Sequence, residues 1–154
     1  FDAPFAVQSG SVAGTLSFTL EALQAGTAVL TVPDGAARSV PLDAGAPLVR
    51  AVTVVRTAGG FQVQILGVST TRELTRAVVR FHASAGSTVQ TPDATIPLDQ
   101  VSRAWFQAPD SAAYGGQFTL TLPFTFQGGS VTLDSVSVVL SSGAGDSAES
   151  TAPY

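Results

Sequence analysis

His82 is the single histidine in a chain of 154 residues, and a lone imidazole narrows the chemistry open to it. As a general base it needs a nucleophile and an orienting acid, and no G-x-S-x-G elbow presents a serine to it. As a metal ligand it lacks a second histidine or any cysteine. The simplest reading is a strand-end histidine beside Arg80, half in solvent. Paired carboxylates could hydrolyse a glycoside, but the 11 acidic residues fall almost all in turns or at strand ends, where Asx-turns and solvated caps belong. GAGDSAES (143–150) and PDAT (92–95) gather oxygen donors without the spacing of an EF-hand loop. The expectation is therefore a protein that is not an enzyme and holds no metal and no cofactor.

Two further groups could recognise a partner. Arg72, Arg76 and Arg80 recur every four residues, but Arg76–His82 alternates as a strand, so Arg76 and Arg80 share one solvated face of a blunted edge. Trp105, Phe106 and Tyr114 lie in the least regular stretch. With Val101, Ala104 and Phe106 as apolar neighbours, Trp105 is expected to plug one end of a core. The alternative is that Trp105 and Tyr114 project from loops as a sugar-stacking platform, as in carbohydrate-binding modules, with polysaccharide as the partner.

The bulk composition bounds the partners. Hydrophobic residues make up 45% of the chain and charged ones 12%, with a net charge of −4. No apolar run approaches the ~18 residues that cross a bilayer, so no membrane insertion is expected. The acidic balance argues against nucleic acid, which needs clustered Lys and Arg. Lys, Asn, Cys and Met are all missing, which removes disulfides, metal thiolates, N-glycosylation and Lys–Asn cross-links together. The first residue is Phe1, which fits a processed or excised chain and makes a secreted, extracellular or cell-surface location the expectation.

The elements that would position these residues are strands throughout, Val, Thr, Phe and Leu alternating between Gly, Pro, Ser and Asp punctuation. Val49–Arg56 and Phe61–Leu66 flank a hairpin turn at 57–60, with Phe61, Val63 and Ile65 facing in and Gln62 and Gln64 out. Arg76–His82 alternates, with Ala77, Val79 and Phe81 on its apolar face. Phe118, Leu120, Leu122, Phe124 and Phe126 share a face, and Pro123 assigns that strand to a sheet edge or a bulge. Leu98–Phe106 lacks alternation and reads as a helical turn or an irregular crossover. The tail from Ser141 to Tyr154 is polar and weakly patterned.

The opening FDAPFAVQSGSV repeats the later TLPFTFQGGSV. Pro4-Phe5 falls on Pro123-Phe124, Gln8 on Gln127, and Gly10-Ser11-Val12 on Gly129-Ser130-Val131. The next strand repeats too: Leu16, Phe18 and Leu20 match Val136, Val138 and Leu140. The second copy holds one extra residue near Asp134-Ser135, and a β-bulge there would restore the face. Between the copies run Thr27–Val32, a Pro33-Asp34-Gly35 turn and Arg38–Leu42. A small-residue linker, DAGAP (43–47), gives the domain boundary.

APLVRAVTVVRTAGGFQVQILGVST and QFTLTLPFTFQGGSVTLDSVSVVLS resemble the immunoglobulin-like β-sandwich repeats of large secreted bacterial surface proteins. The resemblance implies a secreted, adhesive or scaffolding context and no functional residues. The expected fold is all-β: an Ig-like antiparallel β-sandwich over 47–154, preceded by extra β-strands over 1–46. A segment as small as 1–46 does not support its own core. Its apolar positions Phe1, Phe5, Val7, Leu16, Phe18 and Leu20 are expected to be assembly strands that complete a neighbouring copy, head to tail. The expected role is a structural subunit or repeat of an extracellular filament, coat or adhesive stalk.

Overall fold

The computed structural model describes residues 6–32, 36–87, 89–126 and 132–154. Phe1, Pro4 and Phe5, the Pro33-Asp34-Gly35 turn, and Gln127, Gly129, Ser130 and Val131 of the repeat lie outside these residues. Twelve strands follow in order: β1 (Gly14–Thr19), β2 (Leu23–Ala25), β3 (Ala28–Leu30), β4 (Ala37–Leu42), β5 (Leu48–Thr57), β6 (Gly60–Val68), β7 (Arg76–Ala83), β8 (Asp93–Pro97), β9 (Gln117–Thr125), β10 (Leu133–Ser142), β11 (Gly145–Asp146) and β12 (Ser150–Pro153). Helix α1 (Asp99–Gln107) and a 3₁₀ helix (Pro109–Tyr114) separate β8 from β9. The fold is all-β.

Two antiparallel sheets carry the core. One runs β5-β6-β9; the other runs β10-β7-β8, with β11 and β12 both paired to β10. Alternation puts Phe61, Val63 and Ile65 of β6 and Phe118 and Leu122 of β9 against Ala77 and Val79 of β7 and Val136, Val138 and Leu140 of β10, in one buried cluster. Full burial of side chains of this size contributes about 1.5–3 kcal/mol each. Phe61 meets Phe81 edge-on across the sheets at 5.8 Å. It stacks on Phe124 at 5.2 Å and meets the Tyr154 ring at 5.3 Å, closing one end. The polar tail is thus ordered: β12 lies along β10, and the Arg56 guanidinium sits 4.4 Å above the Tyr154 ring.

Specific sequence features set the registers. Ala58 and Gly59 form a two-residue turn between Thr57 and Gly60, which pair. Pro123 lies on β9, whose one paired neighbour among the described residues is β6, so its missing N–H disturbs no inner ladder there. In β10 the register shifts between Leu133 and Ser135, so Asp134 is the extra residue. That bulge lets odd-numbered Leu133 and even-numbered Val136, Val138 and Leu140 all face the core.

The N-terminal strands form a ribbon. β1 pairs β4 antiparallel, β2 pairs β3, and the Leu20 N–H extends the β1–β4 ladder to Ala36 O at 2.9 Å. Opposed residues share a face, so Gly14 with Leu42, Leu16 with Val40 and Phe18 with Arg38 line one side, apolar but for the arginine, and Ser17 with Ser39 lines the other. The apolar side stays open to solvent at Leu20 (46% exposed) and Val40 (47%). Val7, expected on a strand, is instead in irregular backbone and exposed.

Candidate functional site

The stretch that sequence periodicity left irregular is where the surface chemistry concentrates. α1 starts at Asp99, whose carboxylate suits the positive end of the helix dipole. It stops because Ala108 precedes Pro109 and takes an extended conformation (φ −64°, ψ 135°). Leu98, Ser102 and Phe106 recur every four residues and face inward, all buried. Ser102 Oγ accepts the Leu74 N–H at 2.6 Å, tying the helix to the β6–β7 loop.

Trp105 does not plug the core. Phe106 takes that place at 7% exposure, edge-on to Phe118, while Trp105 is 39% exposed and Val101, one turn earlier, is more open still. The helical period explains the correction: residues 98, 102 and 106 form the inward stripe, and 101 and 105 lie on the next stripe round. The Trp105 ring leans on Tyr114, with centroids 6.0 Å apart and planes inclined at 35°. Trp105 Nε1–H points at Gln117 O, 3.4 Å away, where β9 begins. The two aromatic residues singled out from sequence are therefore neighbours on the surface.

Arg72 holds this platform in place. Its backbone is left-handed (φ 54°), and its guanidinium donates to Gly115 O at 2.9 Å, to Ser111 Oγ at 2.8 Å and to Phe106 O. A cation on the last carbonyls of α1 complements the negative end of that helix. Arg72 is thus a structural clamp, and it does not share the face of Arg76 and Arg80. Those two carry internal ion pairs. Arg80 Nε lies 2.8 Å from Asp93 Oδ1, with Glu149 at 3.7 Å, and Arg76 lies 3.7 Å from Asp146. The hydrogen bond and charge of Asp93 hold the Arg80 pKa above its ordinary value, so it remains a cation.

His82 Nε2 lies 2.6 Å from Ser137 Oγ, in the ladder between β7 and β10, half-buried as the sequence suggests. Among the described residues, no three of His, Cys, Asp and Glu lie close enough to share a metal ion. On the far side of α1, a cleft of about 340 Å³ is lined by Glu73, Asp99, Arg103 and Gln107 among others. Glu73 already accepts the Gly143 N–H at 2.8 Å, so its carboxylate is partly committed.

The base of the ribbon is a contact the sequence did not disclose. Ala13 N–H donates to Thr70 O at 2.8 Å, and Gly116 N–H donates to Ser11 Oγ at 2.9 Å. Thr70 Oγ1 also engages both backbone groups of Gly45. Both legs of the ribbon are therefore fixed to the loops beside the platform. No protein-family model, curated protein or solved structure matches the chain. Among the described residues, no helix is long and apolar enough to cross a membrane.

Proposed function

We propose that this chain is a structural subunit or repeat of an extracellular filament, coat or adhesive stalk, assembling by strand complementation through its N-terminal ribbon. The observation that carries the reading is the mismatch between two copies of one pattern. Val136, Val138 and Leu140 of β10 are fully buried, whereas their counterparts Leu16 and Phe18 on β1 are only half-buried and Leu20, just past β1, is exposed, as is Val40 across the ribbon. A two-stranded ribbon has no core of its own and is marginal alone. A second copy is the matching occupant, because each copy contains the kind of sheet that this pattern completes. Passed from copy to copy the contact is heterologous and builds an open fibre.

The strand order supports an immunoglobulin-like framework for the core. In that reading β5, β6 and β9 would correspond to A, B and E, and β8, β7, β10 and β12 to C′, C, F and G.

Sedimentation velocity across a concentration series tests the proposal, with negative-stain imaging of the same samples. The full chain is expected to form species larger than a monomer, and full chain carrying Leu20→Asp with Val40→Asp to sediment as monomer with unchanged circular dichroism. A chain starting at Ala46 should also be monomeric. A full chain that stays monomeric at high concentration overturns the reading.

A further inference from the structure

Charge is distributed unevenly between the two sheets. The outward face of the β10-β7-β8 sheet carries Arg76 and Arg80, with Asp93, Asp146 and Glu149 paired to them. The outward face of the β5-β6-β9 sheet is different. Its alternating positions place Thr53, Gln64 and Thr121 in one cross-strand row, flanked by a row of Val55, Gln62 and Pro123 and a row of Ala51, Leu66 and Thr119, and none of these outward positions is charged. Hydroxyls and amides there donate and accept in any direction, which charged groups do not.

This face adjoins the aromatic pair. Trp105 Nε1–H points at Gln117 O, and Trp105, Thr119 and Leu120 line one groove. The groove is about 40 Å³, far below the size that encloses a small molecule, so a ligand must lie across the surface. Two tilted exposed rings offer apolar faces of limited area, bordered by hydrogen-bonding side chains. That combination suits a ligand with alternating C–H faces and hydroxyl edges.

We propose that Trp105, Tyr114 and the Thr/Gln face of the β5-β6-β9 sheet form a binding surface for a neutral polysaccharide. Pyranose rings stack their C–H faces on the indole and phenol, and the hydroxyls of following sugars bond Thr119, Thr121 and Gln64. Thr119, Thr121 and Gln64 carry no charge to offset desolvation of a carboxylate, so a neutral chain matches these rows better than a polyanion; the exposed Arg50 stands at the register shift of β5, on the far edge strand. This surface is independent of the ribbon, and one can exist without the other.

Affinity gel electrophoresis of the full chain in hydroxyethylcellulose, xylan, galactomannan and polygalacturonate tests the assignment. Retardation is expected in at least one neutral gel and not in polygalacturonate. Tyr114→Ala and Trp105→Ala should each weaken it about tenfold, and Thr121→Glu should abolish it. All three positions are exposed, and circular dichroism of each variant confirms the fold. No retardation in any neutral gel overturns the proposal. So does retardation that survives all three variants, or retardation confined to polygalacturonate. A loss of self-association in Tyr114→Ala without any glycan binding would identify the patch as a contact between copies and likewise overturn it.

Discussion

Thr70 and Gly45 exchange two hydrogen bonds through one hydroxyl: Thr70 Oγ1 accepts the Gly45 N–H at 2.9 Å and donates to the Gly45 carbonyl at 3.1 Å. The same threonine's backbone carbonyl receives Ala13 N–H from the other leg of the ribbon. One residue therefore pins both legs. Thr70→Val keeps the shape and removes the hydroxyl, leaving two backbone groups of Gly45 without this partner. The expected cost is about 1–2 kcal/mol, read by urea denaturation, with faster amide exchange at Gly45. Unchanged exchange there would show that the ribbon is held by other contacts.

Gly116 lies where the chain leading into the ribbon meets the core, donating its N–H to Ser11 Oγ. A Cβ at this position would meet the backbone oxygens of Ser11, at 2.9 Å, and Ser69. Backbone cannot yield as a side-chain tip does, so Gly116→Ala is expected to destabilise by about 1–3 kcal/mol and to free the Ala13 amide. Gly10→Ala, with open space around it, should leave both stability and exchange unchanged.

Trp105 and Phe106 are adjacent in sequence and opposite in environment. Phe106→Ala empties a buried site and is expected to cost about 3–5 kcal/mol. Trp105→Ala removes a ring that is 39% exposed and should cost much less, about 1 kcal/mol. Thermal melts of the two variants decide the matter; equal losses would put Trp105 back in the core.

Asp134 is the one residue that breaks the alternation of β10. Deleting it puts Leu133 directly before Ser135 and two residues from Val136, so Leu133 keeps the inward phase and its pairing with Ala83 in an unbroken ladder. The deletion then gives up little more than the Ser84 Oγ hydrogen bond to Asp134 at 2.6 Å, an expected cost of about 1 kcal/mol, and Asp134→Ala, which retains the bulge, should cost about the same. A loss of about 2–5 kcal/mol on deletion, the mark of an expelled leucine, would contradict the register argument; urea denaturation of the two variants decides it.

Much of the core was legible because strands with one buried face alternate. Phe61, Val63 and Ile65 were placed inward by parity alone, and the parity break in β10 located the bulge. The site was less legible. α1 is short, and its inward stripe of Leu98, Ser102 and Phe106 includes a serine, so an apolar count favoured Trp105 with its neighbours over Phe106 as the buried ring. The serine's tertiary role, accepting the Leu74 N–H, has no local sequence mark. The ribbon junction was illegible for a similar reason. Thr70, Ser11 and Gly116 are common residue types, and their contacts span long stretches of chain, up to 105 residues between Ser11 and Gly116.

The ladder between β6 and β9 joins Gly60 to Thr125, and the ring of Tyr154 packs on Phe61. These closures have a temporal consequence. A chain emerging at about 5–20 residues per second presents the second edge and the inward face of the β5–β6 hairpin for roughly several seconds before β9 and β10 exist, whereas every ribbon strand meets its paired strand nearby in sequence. The N-terminal ribbon is therefore the first to take shape and the core the last. If the ribbon joins copies as proposed, neighbouring nascent chains would pair prematurely in that interval. Spacing between chains during synthesis, as well as stability once folded, would then govern how much protein reaches an ordered assembly.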